Sequence, residues 1–412
     1  IGEIERMPPS VWDNFIAAIN LPRALIASTD LSGLLRQGAF LTYGHPIIAA
    51  KDFMPMVKAF AKGKWHDDVF RSMVDSADYP LAERVGLDIL DIRNPAVAFG
   101  KREEAFASRF ARFIPLVRQS ERAYTTILNK LRWDVFMQRT KQWSKAGTYV
   151  TEEGFQIAKG KTLQDYGQLA EAINILSGRG NLGRLNNQGL LTAAFFSPRY
   201  VVSRIQAPGL LLTHPAARRE VARDLSAFFL TNLGFLAAAK ASGIADVEVD
   251  PRSSDFGKMR IGNVRLDTLA GYAQLVRFVA QLAKAERKAI SSGQVQPAER
   301  LDVAARFLQS KTAPAPGLII DLLRGRTYIG QELEATPQFV GQQVWERLMP
   351  LFIQDMVDAW RVQGELGLAI AAPSVLGMGV VAYEPEPQPG VPFGLQNLPG
   401  IAKRPDIYSY TR

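Results

Sequence analysis

Cysteine is absent from this 412-residue chain, which removes disulfides, thiolate metal sites and cysteine nucleophiles at once. Histidine is nearly as scarce, occurring only as His45, His66 and His214. His45 and His214 each precede a proline and read as turn residues. His66 stands in Trp65-His66-Asp67-Asp68, where one imidazole beside two carboxylates could serve a metal or a proton. A metal site needs three or four ligands in a defined geometry, so a solvated helix start is expected there. No GxSxG elbow and no Walker loop occurs. Glu103-Glu104 and Glu152-Glu153 fall near expected helix starts, where carboxylates complement the macrodipole without catalysis. The expectation is a non-enzymatic chain with no catalytic residue, no metal ligand and no cofactor.

Long apolar runs are also missing. Leu225 to Ala239 is shorter than the roughly 20 residues a bilayer span needs. Leu366 to Tyr383 is interrupted by Pro373 and three glycines. Both are expected to be buried core helices, the first of them central because its apolar residues lie on all sides. No block of five or six like charges marks a basic tail. The formal net charge of +9 favours nucleic acid or anionic surfaces only weakly when spread over so large a chain. The opening IGEIERMPPSV has neither an initiator Met nor the basic-then-apolar order of a signal peptide. A processing site or a boundary within a longer protein is expected there.

What is present centres on Asp246 to Leu282. Val247 and Val249, Met259 and Ile261, then Val264 and Leu266 alternate with polar neighbours at the period of a half-buried strand. Gly262-Asn263 is a type II′ turn dipeptide, so 258 to 267 reads as a tight hairpin. That register sets Ile261 opposite Val264 and Arg260 opposite Arg265. Two like charges facing across a ladder repel, and the acids expected to answer them are Glu248 and Asp250. Leu269, Tyr272, Ala273, Val276, Val279, Ala280 and Ala283 then recur at helical spacing, with Asp267 or Thr268 as the expected N-cap. The polar loop from Asp250 to Gly257 reads as a structural corner in which Asp and Ser satisfy backbone donors. Its functional alternative is a charged contact patch of Arg252, Lys258, Arg260 and Arg265.

The rest of the chain reads as helix. Residues 11 to 62 suggest helix, turn, helix, broken at Gly44-His45-Pro46, with Ser28-Thr29-Asp30 as a capping cluster. Asn94-Pro95 marks a turn. From Lys101 to about Lys145 apolar residues keep a three-or-four spacing, while Arg and Lys are expected to face outward. Helices are expected at Glu152 to Lys159 and Asp165 to Leu176. Gly178, Gly180 and Gly183 spell GxGxxG, but the preceding segment is helical and no carboxylate follows before Glu220, so the motif fails the context of a dinucleotide site. It reads as a helix C-cap and connector. A loop is expected at 291 to 296, and 386 to 412 is dense in Pro and Gly, an extended tail. The expected fold is mainly α, an elongated multi-helix body with one small antiparallel β-hairpin or sheet near 246–267. Two helical regions, 1–177 and 178–385, precede the tail.

The run VDPRSSDFGKMRIGNVRLDTLAGYAQLVRFVAQL resembles a signature of the large polyvalent protein-associated domains, modules of very long proteins of bacteriophages and related mobile elements. Other segments are similar to the same family in the same order. They are LPRALIASTDLSGLLRQGAFLTYGHP, ILSGRGNLGRL, FFSPRYVVSRIQAP, HPAARREVARDL, FLQSKTAPAPGLIIDLLRGRTYIG, LMPLFIQDMVDAW and GLAIAAPSVLGMGVVAY. Together they cover most of 20–383. The resemblance implies an internal virion protein, packaged near the portal and ejected into the host with the genome. It also implies partners among portal or internal core proteins, copies of itself, packaged DNA and, transiently, the host envelope. Location would be the virion interior, then the host envelope or cytoplasm. The alternative it leaves open is a membrane- or nucleic-acid-binding module of a larger phage-delivered effector. The family carries no catalytic residues over to this chain.

Overall fold

The computed structural model describes residues 33–91, 115–183, 194–289, 293–325 and 348–383, with 21–22, 336–337 and 341 as isolated positions. The Ser28-Thr29-Asp30 cap, the Asn94-Pro95 turn, Glu103-Glu104, the start of the long helix at Lys101 and the tail from 386 lie outside the described residues.

A π-helical turn over Gly33–Gln37 leads into α1 (Ala39–Gly44) and α2 (Pro46–Ala61). Pro46 opens α2 at a position that needs no backbone donor, so the break falls where the sequence places it. Next come α3 (Gly63–Val74), α4 (Tyr79–Arg84) and the long α5 (Pro115–Ser144). The segment expected as a helix at 152–159 is instead an antiparallel ribbon, β1 (Thr148–Val150) with β2 (Gln156–Ala158). Glu152-Glu153 therefore lies in the turn of that ribbon, where Glu153 takes Arg84 Nε at 2.7 Å, and caps no helix. Helix α6 (Leu163–Leu176) starts on a reciprocal capping box between Thr162 and Asp165.

Gly178 closes α6 with φ 87°, while Gly178 N–H donates to Ile175 O and Arg179 N–H to Asn174 O. These paired bonds are a Schellman motif, so the first glycine of GxGxxG terminates a helix. An antiparallel pair follows, α7 (Pro198–Thr213) and α8 (Arg218–Ala241). Helix α8 corrects the expectation of a central, wholly buried element. Phe228, Asn232, Leu236 and Ala239 face the core, but Leu230, Leu233 and Phe235 are exposed, because among the described residues only one side of the helix is packed.

The sheet has four strands in the order β3 (Asp246–Val247), β4 (Lys258–Ile261), β5 (Val264–Asp267) and β8 (Gly379–Ala382), all antiparallel. Ile261 faces Val264 and Arg260 faces Arg265, as the hairpin register requires. Gly262 takes φ 59°, and its turn is tied down by Gln363, whose Oε1 accepts from Asn263 and Val264 N–H. The fourth strand comes from the run 366–383 expected as a helix. Only its first part is helical, to Ala371 and a 3-10 turn over Ala372–Leu376, and Val380 then buries against Leu266 as strand.

Helix α9 (Tyr272–Lys284) begins after Gly271 rather than at the expected cap: Asp267 Oδ1 instead accepts Leu269 N–H, short of the helix. Val276 and Val279, expected inside, are exposed. The face that packs sets Phe278 against Phe307 with ring centroids 4.1 Å apart. A second ribbon pairs β6 (Glu286–Lys288) with β7 (Val295–Pro297), so the last two residues of the loop expected at 291–296 are strand instead. Then follow α10 (Arg300–Gln309), α11 (Pro314–Arg324) and α12 (Leu351–Ala371). The protein is mainly α, with small antiparallel sheets of two to four strands.

One buried apolar cluster extends from Leu34 to Val380, centred on α2, α5, α6 and α8. Two arginines lie fully inside it. Arg132, on the face of α5 expected to be solvated, donates to Ser177 Oγ at 2.6 Å and Asp88 O at 3.2 Å. Arg204 lies over the Phe40 and Tyr200 rings at 4.5 and 4.4 Å and donates to the carbonyls of Arg36, Gln37 and Ala270. Burying a guanidinium is costly unless its donors are met. Here they cap the loose carbonyls of turns, fastening the 33–37 segment to α7 and to the start of α9, while Arg204 Nη1 stays buried without a hydrogen-bond partner. Ser177, at the expected boundary between the two regions, sits within this core.

A polar cleft and an internally paired basic corner as candidate sites

The glycine-rich loop that ends α6 forms one wall of an open cleft of about 670 Å³. Asp88, Glu171, Asn174, Arg179, Asn181, Arg199, Thr213 and His214 line it, drawn from four separate segments of the chain. Gly180 lets the loop lie directly on the α7 backbone, where a Cβ would strike Ser203 and Arg199. That approach brings Arg179 onto Asp88 and sets Arg199 Nη2 3.9 Å from the same carboxylate. The Arg179 and Asp88 side chains are nearly inaccessible, so their pairing is electrostatically strong and holds the loop to the 85–88 turn.

On the opposite wall Thr213 Oγ1 lies 2.8 Å from His214 Nδ1, and His214 Nε2 lies 3.1 Å from Glu171 Oε2. Hydroxyl, imidazole and carboxylate in line have the order of a nucleophile relay. The setting opposes that use. Thr213 is the last residue of α7, where unpaired helix carbonyls concentrate negative potential, whereas an oxyanion needs donors. Its hydroxyl also donates to Gly209 O at 3.1 Å, the back-bond of a helical threonine. Among the described residues no group of three or more His, Asp or Glu side chains is placed to hold a metal. His66 is not a solvated helix start: it is buried, with Nδ1 2.8 Å from Thr126 Oγ1 of α5. His45 is buried too, between Gln138 and Asp224.

The four bases proposed as a contact patch share the corner of the sheet, yet three of them are turned to neighbours in the fold. Arg252 forks onto Asp250 at 2.9 Å and reaches Glu286 at 2.7 Å. Those bonds from Arg252 hold the Asp250 carboxyl down at about 2. Lys258 Nζ lies 3.1 Å from Asp255 Oδ1, and Arg265 Nε lies 3.1 Å from Asp255 Oδ2 with its guanidinium 4.9 Å above the Tyr383 ring. Burial alone would raise Asp255, but Lys258 and Arg265 outweigh it and bring the carboxyl below its ordinary value. Burial pushes the Lys258 amine down. Arg260 alone of the four stays exposed, facing Asp246 across β3.

The acid that answers the facing arginines is therefore Asp255, bound to Arg265, while Asp246 only stands across from Arg260 in the ladder; Glu248 and Asp250 are engaged elsewhere. Glu248 pairs with Lys288 at 2.6 Å, and Asp250 with Arg252. The corner loop matches the structural reading of its sequence, since Ser253, Ser254 and Asp255 are buried and Asp255 N–H donates to Ser253 Oγ.

Fold and site together define a helical protein whose ionisable side chains, in the cleft and at the corner, engage one another. Compared with protein-family models, with curated proteins and with solved structures, the chain matches none.

Proposed function

We propose that this chain is a non-enzymatic assembly protein carried inside a bacteriophage particle, packed near the portal against internal core proteins or copies of itself and ejected with the genome. The phage origin rests on the segments similar to the polyvalent-protein modules. The observation that carries the assembly role is the distribution of side chains: charges engage one another within the fold, while large apolar side chains are left outward. Leu301 and Leu323, on α10 and α11, are each 83% exposed. Leu308 on α10 and Ile319 and Leu322 on α11 are exposed as well, and apolar side chains exposed together rather than singly mark an interaction surface. Packaged DNA would be a weak, salt-dependent partner through the general positive charge. Mass spectrometry of purified particles tests the reading: peptides of this chain are expected in stoichiometric amount, and their absence would remove it.

A second reading, a membrane-binding module of a larger delivered effector, is favoured by α8. At 24 residues α8 is long and apolar enough to cross a bilayer, and much of it is not covered by the fold. Retention of the chain in vesicles after an alkaline wash would support that reading, and complete release would remove it.

A further inference from the structure

Helices α7 and α8 form an antiparallel hairpin joined by residues 214–217, and each exposes an apolar stripe on the side away from the core. On α7 the stripe includes Ile205 and Leu212, two turns apart. On α8 it includes Leu230 and Leu233, with Gly234 and Ala237 exposed among them. Leu212 is 82% and Leu230 is 72% exposed. These positions recur at helical intervals, so they form continuous faces.

Charge on the hairpin is sorted by side. Residues 198–241 contain two acids, Glu220 and Asp224, and both are buried. Glu220 is held by Arg139 and Asp224 by His45 and Arg223. Glu171, which faces the connecting turn from α6, is held by His214. Arg218 and Arg219 at the start of α8 and Lys240 near its end are exposed. The outward side therefore carries leucines and an isoleucine flanked by bases, with no exposed acid within the hairpin.

We propose that the α7–α8 hairpin docks flat on an anionic lipid surface, its leucines entering the headgroup boundary and Arg218, Arg219 and Lys240 meeting lipid phosphates and carboxylates. Interfacial helices bind through this combination of buried apolar area and electrostatic attraction. DNA would satisfy the bases and leave the leucines in water. A second copy would cover the leucines and bring basic rims together. The docking is peripheral, so it differs from a spanning α8, and it holds whether or not the chain travels in a particle.

Flotation of the full chain with phosphatidylcholine vesicles, with and without phosphatidylserine, tests the proposal. The chain is expected to float only with the anionic vesicles, less so in high salt, and to be released by an alkaline wash. The pair Arg218→Glu and Arg219→Glu is expected to weaken partitioning by roughly tenfold or more, at about one kcal/mol per base lost near the surface. The pair Leu212→Ser and Leu230→Ser is expected to weaken it similarly while circular dichroism stays unchanged, because the replaced side chains touch little. Equal flotation of wild type and both variants would overturn the proposal. So would retention after the alkaline wash, DNA binding in place of vesicle binding, or self-association abolished by the leucine changes in a chain that ignores vesicles. The phage reading is decided separately, by particle composition.

Discussion

Arg265 stands directly opposite Arg260 in the β4–β5 ladder, yet its Nε is bound to Asp255 Oδ2 at 3.1 Å. Like charges facing across a ladder are unstable unless one is neutralised locally. Here the corner loop folds a carboxylate between Arg265 and Lys258, and this single acid lets two bases be buried.

Asp255→Asn should therefore cost roughly 3 kcal/mol of unfolding free energy, because it strands two buried cations. The folded carboxyl lies below its ordinary value, so the stabilisation it provides is present at neutral pH and is lost as pH falls through that lowered value. Urea unfolding across acidic pH checks both points. A variant as stable as wild type at neutral pH would show that the corner is not held by this acid.

Asp52 of α2 is fully buried against α5, with Lys130 Nζ 3.3 Å away and Asp134 sharing the same amine at 2.6 Å. Burial, with Asp134 adding to it and Lys130 opposing, pushes the Asp52 carboxyl up to about 7. The folded state thus holds this proton more tightly than the unfolded chain. Stability is fuller under mildly acidic conditions and falls as pH rises through neutrality. Asp52→Asn, which cannot ionise, is expected to gain roughly 4 kcal/mol near pH 8, about 2 near pH 5 and little below about pH 4. A wild-type stability that is flat across that interval would contradict the assignment.

Arg132→Met is expected to destabilise the protein by about 3 kcal/mol, since the buried groups it serves, Ser177 and the Asp88 carbonyl, lose their donor. Amide exchange at 177–181 should accelerate with it, because the loop is anchored through Ser177. Unchanged protection there would mean that Arg179 and Asp88 suffice.

Thr213→Ala should alter stability by less than about 1 kcal/mol, for the hydroxyl makes only local bonds at a helix end. The wild-type hydroxyl should also stay unmodified by fluorophosphonate and β-lactone reagents. Mass spectrometry showing selective phosphonylation or acylation of Thr213 would make the relay in the cleft a catalytic one and defeat the non-enzymatic reading.

Legibility followed the range of the interactions. The β4–β5 hairpin could be read to the residue because Gly262-Asn263 and two alternating runs contain all its information within ten positions. The helix end at Gly178 was equally local. The cleft was not legible, since Asp88, Glu171, Arg179, Arg199 and His214 meet only after distant segments pack. One signal was available in retrospect: Arg179 follows a helix-ending glycine, and an arginine in such a turn must find an acceptor in the fold. The β1–β2 and β6–β7 ribbons were missed because three-residue strands carry too little periodicity to separate them from a helix or a loop.

From the amino-acid order alone came the helical class, the hairpin and its register, and the exclusion of thiol chemistry, all consequences of spacing and residue type. Tertiary structure alone decided which charges face water. Burial depends on neighbours from remote parts of the chain, so Arg132 and Arg204 became internal fasteners, while Leu212 and Leu230, apolar and correctly spaced for a core, were left outside it.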